Sequence, residues 1–326
     1  MYLCGIQIET PTIGLFSRAL EGKRMIQRKY TGAVDLKLLQ DFNAKAIALT
    51  DHCGYLHPGD IPHHIYNGNK HYNPVDLITI WEDEKGMAAW LLADPSFKCF
   101  DAQIRPDLRG TDFERDVLQL AYDRTRHLMK KYGVDSDYLY ADAFQEDVAR
   151  AELLSAIGFE PDNELPYVLN RMKIKSVNVP VLPEGFSFRS AKGIADAAAL
   201  AEVHNGAFTP TNWTPELYRK VMESPGYSPN RELVIQGPDG KFVAFAVTWH
   251  DPLNKTGLFE PVGTVREFQR QGFGRAIMYY GLQQMAAAGM KFATVAHFGD
   301  NQAARGLYQS CGFRPWYLLD SYQKRL

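Results

Sequence analysis

The stretch that decides the fold is QRQGFGRA, residues 269–276, in which two glycines lie among basic and amide side chains at the start of a helix. The sequence after it, IMYYGLQQMAAAG, is strongly helical, and TGLFEPVGTV before it is typical of a strand. Glycine is a poor helix former. However, Gly272 and Gly274 have no side chains, so an anion can approach the unpaired N–H groups of the first helical turn. Arg270 and Arg275 add charged donors, so the stretch predicts a seat for a pyrophosphate.

Two familiar phosphate-binding loops are excluded by the residues around these glycines. A P-loop would continue with Gly-Lys-Ser or Gly-Lys-Thr, which this loop lacks. The dinucleotide fingerprint has a different glycine spacing and lies in a parallel βαβ unit, which this sequence does not predict. Taken alone, the stretch also fits a helix start that happens to contain glycines.

The length and composition predict a two-domain globular protein. The 326 residues exceed what one core usually spans, and the net charge of −2 argues against a nucleic-acid partner. The N-terminal sequence MYLCGIQIETPTIG lacks the features of a signal peptide and is too short and polar to span a membrane. Four scattered cysteines without a CxxC pair fit a reducing compartment. We therefore expect a cytoplasmic protein with no membrane partner.

The same order of predicted elements occurs twice along the chain. Each half reads as a strand, one or two helices, a hairpin, a further strand, a long helix, a strand, a short helix and a last strand. A proline-containing stretch, SVNVPVLPEG, separates the two. The predicted boundaries are 1–175 for the first domain, 176–185 for the linker and 186–326 for the second domain.

The residues of the two halves also align. AELLSAIGFEP matches RGLYQSCGFRP without a gap, which places Gly158-Phe159 on Gly312-Phe313. The loop of the second half has a counterpart in DLRGTDFERD, where Phe113 aligns with Phe273 and Arg115 with Arg275. One long repeat per half indicates a duplicated domain.

The loop and a second motif together resemble the GNAT superfamily of N-acetyltransferases. The shared pattern is V-x6-Q-x2-G-x-G-x-A, a strand, and N-x2-A-x2-L-Y-x3-G-F. Here it consists of Val262, Gln269, Gly272, Gly274, Ala276, Asn301, Ala304, Leu307, Tyr308, Gly312 and Phe313. The resemblance covers residues 186–326 with intact motifs and about 25–174 with degraded ones, a layout similar to that of tandem GNAT proteins such as mycothiol synthases. It implies an α/β (α+β) fold of two tandem GNAT domains, each with a mixed, splayed central sheet flanked by helices.

The resemblance implies acetyl-CoA as cosubstrate and no metal. The loop N–H groups would hold the pyrophosphate, and the preceding strand would bind the pantetheine arm and point an N–H at the thioester carbonyl. Asn301 would contact the CoA arm. The implied cofactor-binding residues are Val262, Gly263, Thr264, Gln269, Arg270, Gln271, Gly272, Phe273, Gly274, Arg275, Ala276, Asn301 and Ala304.

Four residues are candidates for proton transfer. Tyr308 would protonate the departing thiolate, since a phenol can donate to sulfur as charge builds there; the alternative is a core tyrosine. Glu260 lies two residues before Val262, on the same face of a regular strand, and would serve as the base. His297 is the second candidate for the base, and His250 is a weaker one. Each of the three candidates for the base also fits a structural role.

The first half lacks the residues that the chemistry needs. Asp112 and Glu114 align with Gly272 and Gly274, and a carboxylate there blocks the backbone and repels a pyrophosphate by about 1–4 kcal/mol at ~4 Å. Two further replacements point the same way: Asp147 for Asn301 and Leu154 for Tyr308. We expect a structural or substrate-shaping domain that does not acetylate.

Two other groups of residues remain open in their interpretation. Aromatic side chains of the second half either line the acceptor pocket or form plain core: Trp213, Tyr218, Tyr227 and Trp316. A histidine-rich loop of the first half has neither HxxxH nor HExxH spacing, so it does not predict a metal site: His57, His63, His64 and His71. This loop either packs locally or faces the acceptor site across the domain interface.

These observations predict an acetyl-CoA-dependent N-acetyltransferase that acts on a small-molecule amine by direct attack in the second domain. The alternatives are an acetyltransferase for protein N-termini or lysines, and a non-catalytic acyl-CoA-binding protein. The chain would be a monomer that acts as its own pseudo-dimer, or a homodimer.

Overall fold

The order of elements that the sequence predicts twice is present twice in a computed structural model, which describes residues 25–326. The expectations for residues 1–24, including the N-terminal leader and Cys4, lie outside the described residues. The first half contains β1 (Ile26–Lys29), α1 (Ala33–Thr50), a π-helical turn (His63–Gly68), α2 (Pro74–Leu77), β2 (Ile78–Asp83), β3 (Gly86–Asp94), β4 (Cys99–Ile104), α3 (Asp112–Tyr132), β5 (Tyr138–Phe144), α4 (Val148–Ala156), β6 (Glu160–Pro161) and β7 (Tyr167–Lys173). The second half contains β8 (Ser187–Ser190), α5 (Ala197–Ala207), α6 (Pro215–Met222), β9 (Glu232–Gln236), β10 (Phe242–Asp251), β11 (Thr256–Thr264), α7 (Phe273–Ala287), β12 (Phe292–His297), α8 (Gln302–Ser310) and β13 (Arg314–Arg325).

Local chemistry explains where several of these helices begin and end. The Thr214 side chain accepts the N–H of Leu217 at the start of α6, and Pro215 occupies the first helical position. The long helix α3 ends with two lysines in its last turn and with Gly133 at φ 67°, a conformation that favours glycine. None of the helices in the described part of the chain is both long and apolar enough to cross a membrane.

One mixed sheet of 13 strands runs through both halves of the described chain. The strand order is β1-β2-β3-β4-β5-β13-β7-β12-β11-β10-β9-β8, and β6 pairs with β13. The pairs β4–β5 and β11–β12 are parallel, and the other neighbours are antiparallel. A large mixed sheet flanked by helices confirms the predicted fold class.

The last strand of each half joins the sheet of the other half. Strand β7 pairs with β12, with Val168 opposite His297 and Lys173 opposite Phe292. Strand β13 pairs with β5, with Leu319 opposite Phe144. The two exchanged strands also pair with each other at the centre of the sheet. The halves therefore share their central strands, and the domain boundaries stay a prediction.

Each half has its own hydrophobic core. The core of the first half is built around Trp90, which is fully buried and donates its indole N–H to Asn43 Oδ1 at 2.9 Å. The second half packs α7 and α8 on one face of its sheet and α5 and α6 on the other. Gly281 of α7 lies so close to Phe259 that a Cβ would be 2.4 Å from the ring, so this helix can approach the sheet only with glycine there.

The parallel strands β11 and β12 separate along their length. They pair from Thr256–Phe292 to Phe259–Val295, and β11 then continues to Thr264 without β12 as a partner. In the first half, β4 and β5 form only one pair, Cys99 with Tyr140. Both halves thus have the predicted splayed sheet, and each splay leaves a gap at the carboxyl end of its strands.

The exchanged strands predict that the two halves depend on each other for folding. Residues 176–326 produced alone would lack β7 and expose the edge of β12, and residues 1–175 would expose the edge of β5. We expect each fragment alone to aggregate or to unfold without cooperativity, and the co-produced fragments to form a 1:1 complex, measured by size-exclusion chromatography and thermal unfolding. A fragment 176–326 that melts cooperatively near the temperature of the full chain would contradict this.

Candidate active site

The gap between β11 and β12 contains a β-bulge at its mouth. Ala246 of β10 pairs with Val262 of β11, and Thr248 of β10 pairs with Phe259 of β11. Two residues of β11, Glu260 and Pro261, therefore lie opposite a single residue of β10. The strand is therefore not regular here, and the simple alternation expected to place Glu260 and Val262 on one face is interrupted. The indole N–H of Trp249 donates to the Glu260 carbonyl at 2.6 Å, which fixes the bulge.

The loop 265–272 follows β11 and ends at the N-terminus of α7. Gly272 has φ 90° and open space where a Cβ would be. The Gln269 side chain donates to the Thr264 carbonyl at 3.1 Å, and the Gln271 side chain donates to the Glu267 carbonyl at 2.8 Å, so both amides hold the loop itself. Arg270 and Arg275 are exposed.

The backbone N–H groups of this loop are free to bind a ligand. Within residues 25–326, the N–H groups of 270–274 have no protein acceptor. Gly274 lies against the end of β11, where a Cβ would be 3.2 Å from Thr264 Oγ1. Free donors at a helix N-terminus, with no side chain in front of them, form an anion-binding cradle.

In the first half, a carboxylate fills the corresponding cradle. Glu114, the counterpart of Gly274, is fully buried and accepts the N–H of Gly110 at 2.6 Å. Gly110 aligns with Arg270, whose N–H is free in the second half. The other replacement, Asp112, instead lies at the surface with 71% of its side chain exposed and pairs with Arg115. Only Glu114 therefore blocks the loop.

An arginine fills the gap between β4 and β5 as well. Arg150 on α4 donates from Nε to Glu114 at 2.6 Å and from Nη2 to the Ala102 carbonyl at 3.0 Å. In the alignment of the halves, Ala102 corresponds to Val262 and Arg150 to Ala304. The second half therefore has a small side chain, Ala304, where the first half inserts a charged one.

Tyr308 projects from α8 into the core beside the gap of the second half. It is buried, and its ring lies 6.0 Å from the ring of His297 and 6.3 Å from that of Phe313. Its hydroxyl has no hydrogen-bond partner within the described residues. Burial and the charge of Glu260 raise the pKa of Tyr308 above its ordinary value, so Tyr308 keeps its proton at neutral pH.

Asn301 caps the helix that carries Tyr308. Its Oδ1 accepts the N–H of Ala304 at 3.0 Å, and Asp147 makes the same bond to the N–H of Arg150 at 3.3 Å in the first half. Capping therefore explains why both halves have a short polar side chain at this position. The capping bond holds Asn301 and Ala304 together at the start of α8.

The two histidine candidates differ in their surroundings. His297 is buried and its Nδ1–H donates to the Phe298 carbonyl at 2.8 Å, which leaves Nε2 as an acceptor. His250 has an unpaired Nε2, and burial, with Arg231 and His57, lowers its pKa to about 4.

The histidine-rich loop of the first half packs against the bulge of the second half. His57 Nε2–H donates to the Thr256 carbonyl at 3.1 Å, and Gly59 lies so close that a Cβ would be 2.7 Å from the His250 backbone N. The ring of His63 lies 5.9 Å from that of Trp249. The loop therefore lies at the interface of the two halves, and its place beside an acceptor site stays a prediction.

Asp60 in this loop belongs to the site, although no sequence motif marks it. Its Oδ2 pairs with His64 Nε2 at 3.0 Å. Burial opposes charge on His64, but the Asp60 carboxylate raises the pKa of His64 to about 9. Burial and the charge of Asp60 raise the pKa of Glu260 to about 8. Burial, together with the charges of Glu260 and Tyr308, raises the pKa of Tyr167 on β7.

Two of the four predicted aromatic walls line a cavity between the halves. Tyr218 and Tyr227 line it together with His63 and Trp249, and both tyrosine hydroxyls donate to the buried Glu232. The other two aromatics lie elsewhere: Trp213 packs behind Tyr218, and Trp316 lies over Arg171. Within residues 25–326, no group of three or more His, Cys, Asp or Glu is arranged to hold a metal ion.

Comparison with known proteins agrees with this geometry. Residues 198–313 match the sequence profile of the Acetyltransferase (GNAT) family. The chain is 26% identical to a mycothiol acetyltransferase from Paenarthrobacter aurescens over 87% of this chain and 92% of that protein. It is 27% identical to one from Streptomyces griseus over 51% of this chain, a match that spans about half, 55%, of that relative's length.

Solved structures with a similar fold cover nearly the whole chain. A tandem GNAT protein from the clavulanic acid biosynthesis pathway has a TM-score of 0.64 at 14% identity, and covers 93% of this chain and 98% of its own. A GCN5-related N-acetyltransferase from Sphaerobacter thermophilus has a TM-score of 0.61 at 15% identity, over 92% and 95%. At such identities these neighbours show the fold alone. The profile match thus places residues 198–313 in the acetyltransferase (GNAT) family, and the solved structures show that the described chain has the tandem GNAT fold.

Proposed function

We propose that this chain transfers the acetyl group of acetyl-CoA to a primary amine of a small molecule by direct attack, in its second half. The observation that carries the proposal is the contrast between the two cradles. The cradle of the first half is closed by Glu114 and Arg150, whereas that of the second half has free N–H groups and the small Ala304 in the place of Arg150. Only the second half can therefore accept a pyrophosphate and an extended arm.

The residues present fit acetyl-CoA, which would supply an acetyl group activated as a thioester. The N–H groups of 270–274 would bind the pyrophosphate, with Arg270 and Arg275 close enough in sequence to add charge. The backbone of Val262 to Thr264, which lacks a partner on the β12 side, would bind the pantetheine arm. An N–H of this segment would also stabilise negative charge on the thioester oxygen.

Glu260 is the proposed base. An amine acceptor is mostly protonated at neutral pH and must lose a proton before it can attack. The pKa of Glu260 is raised to about 8. Its proton affinity is therefore closer to that of an ammonium group than the proton affinity of an ordinary carboxylate is. His297 is the alternative base because its Nε2 is free to accept.

Tyr308 is the proposed acid. Its pKa is raised by burial and by Glu260, so its phenol is protonated and able to donate when a thiolate leaves. Glu260 and Tyr308 thus flank the gap with one group to accept a proton and one to supply it.

The covered acceptor side favours a small molecule over a protein chain. The histidine-rich loop of the first half lies over β10 and β11, and Lys70 at its end lies 4.5 Å over the ring of Trp213. The Lys220 side chain of α6 donates to the Lys70 carbonyl at 2.7 Å, which closes the loop against the second half. Release of free thiol from acetyl-CoA in the presence of a panel of primary amines tests the proposed function.

A glutamate at position 274 should close the second cradle. In Gly274→Glu, the new carboxylate would take the N–H of Arg270 as Glu114 takes that of Gly110, and we expect acetyl-CoA affinity to fall about 100-fold or more by calorimetry. Asp112→Asn, at the surface of the first half, should leave the affinity unchanged. Unaltered binding by Gly274→Glu would place the cofactor elsewhere.

The pH dependence of kcat/KM should follow the ionisation of the Glu260 carboxyl group. Below its pKa the carboxyl is neutral and cannot accept a proton, so we expect kcat/KM to rise with pH through about 8. Glu260→Gln should lower kcat by about 10²- to 10⁴-fold and remove this limb. If the Gln variant retains both the rate and the pH profile of the wild type, His297 or water is the base instead of Glu260.

Removing the phenol hydroxyl should slow turnover without weakening acetyl-CoA binding. We expect Tyr308→Phe to reduce thiol release by about 10²- to 10⁴-fold, with an unchanged dissociation constant by calorimetry. Tyr280→Phe, a tyrosine of α7 that stacks on Phe188, is the matched control. Equal rates for Tyr308→Phe and the wild type would exclude Tyr308 as the acid.

A further inference from the structure

A second cavity lies between the two halves at the amino end of β11, and we call it the amino-end cavity. Its volume is about 380 Å³, a size typical of small-molecule sites. Thr256, the first residue of β11, lines it, and Glu260 lies four residues further along the strand, about 13 Å away. The other walls come from the end of α1, the residues that follow it, β7 and β13. The cavity is therefore separate from the gap and the cradle.

A guanidinium group with an unused donor lines this cavity. Arg171 of β7 packs on two rings, 4.0 Å from the centroid of Phe292 and 4.2 Å from that of Trp316. Its Nε is buried and has no hydrogen-bond partner within residues 25–326. Asp51 Oδ1 lies 3.8 Å from Nη1, too far for a hydrogen bond, and 76% of the Asp51 side chain is exposed. Such a screened contact stabilises little, so the guanidinium is held in place by the rings and still lacks an acceptor for Nε.

A second unpaired side chain in the cavity is His52. It is 6% exposed, and neither of its ring nitrogens has a hydrogen-bond partner in the described part of the chain. Its ring packs edge-on against Trp316, with the centroids 5.4 Å apart. Burial, with the charges of His57 and Arg171, lowers the pKa of His52 to about 3. The ring is therefore neutral at pH 7 and has one N–H to donate.

An unfavourable backbone holds His52 at the cavity. Asp51 and His52 have φ 55° and 78°, in the left-handed region that side chains other than glycine rarely adopt. The Tyr317 hydroxyl of β13 donates to the Asp51 carbonyl at 3.0 Å and fixes this turn. Backbone strain of this kind occurs preferentially at sites that present a side chain to a ligand. The turn thus places a buried donor against a polar cavity that no other part of the described chain fills.

A further wall of the cavity carries acceptors and negative charge. Helix α1 ends there, and no backbone N–H of the described residues donates to the carbonyls of Ala48, Leu49 and Thr50. The C-terminus of a helix has a partial negative charge, and α1 has no basic residue in its last turn. The Asp51 carboxylate, just after the helix, adds a full negative charge. This wall suits an ammonium group.

The balance of charge decides what kind of ligand fits. Arg171 supplies one positive charge and His52 is neutral, whereas Asp51 and the end of α1 are negative. A phosphate dianion would therefore meet an excess of negative charge. A molecule with one carboxylate and one ammonium group would complement both walls.

We propose that the amino-end cavity is a second ligand site that binds an α-amino acid, with its carboxylate at Arg171 and His52 and its ammonium group at Asp51 and the end of α1. The Nε–H and Nη–H groups of a guanidinium match the two oxygens of a carboxylate. The site does not depend on acetyl transfer, because none of its residues belongs to the cradle or to the groups proposed for proton transfer.

Thermal unfolding of the full chain tests the proposal. Each of the common protein amino acids would be added at about 10 mM, and we expect at least one to raise the melting temperature by about 3 °C or more. In calorimetry, that amino acid should bind about tenfold or more tightly than two analogues: the amine that lacks its carboxylate and the carboxylic acid that lacks its ammonium group. Inorganic phosphate, the probe for a simple anion site, should leave the melting temperature unchanged.

Variants of the lining residues locate the bound amino acid. Arg171→Lys keeps the charge without the planar fork, and His52→Phe keeps a ring without its nitrogens; we expect affinity to fall about tenfold in each. Asp51→Asn, which tolerates the left-handed backbone, should weaken binding of the amino acid but not of its deaminated analogue. Because Asp51 is exposed, this variant keeps the test valid if a change at a buried position prevents folding.

Arg115→Lys and Asp116→Asn on the exposed face of α3 are the matched controls, and both should bind the amino acid like the wild type. The melting temperature without ligand and the acetyl-CoA affinity show whether each variant is folded.

Three outcomes would overturn the proposal. If no amino acid raises the melting temperature, the cavity holds water only. If phosphate stabilises the chain more than any amino acid does, the cavity is an anion site of another kind. If affinity is unchanged in Arg171→Lys, His52→Phe and Asp51→Asn, the amino acid binds elsewhere. None of these measurements depends on thiol release, so each outcome leaves the proposed acetyl transfer untouched.

Discussion

The end of pairing between β11 and β12 is the constraint on which the site depends. After Phe259 and Val295 the two strands diverge, and the backbone of β11 from Glu260 onward has no strand partner on that side. Backbone groups that are not paired with protein must be satisfied by water or by a ligand. The free N–H groups at the start of α7 extend this unsatisfied backbone, so the gap and the loop form one continuous surface of unpaired backbone groups.

The first half shows what happens when the same surface is satisfied from within. Its β4 and β5 also diverge, but Glu114 accepts the loop N–H and Arg150 bonds the strand carbonyl. The ion pair between them is buried, and each member also bonds backbone, which compensates for its desolvation. The region of the first half that corresponds to the cradle is thus a packed interior, with the helix and the strands in the same order as in the second half.

The same half also contributes a loop that packs on the second half beside Glu260. The exchanged strands β7 and β13 fix the two halves against each other, and this brings the loop with Asp60 and His64 onto the bulge at Glu260. The proton affinity of Glu260 is therefore set by residues of both halves.

The sequence by itself determined the elements, the duplication and the loop, because these depend on periodicity and on local backbone preferences. The helix around Phe273, the glycines before it and the loss of Gly274 in its copy could all be seen without coordinates. The bulge at Glu260, the surface position of Asp112 and the contact of Asp60 with the second half could not. They depend on strand register and on the strand exchange, which bring together residues far apart in the chain and leave no periodic trace in the sequence.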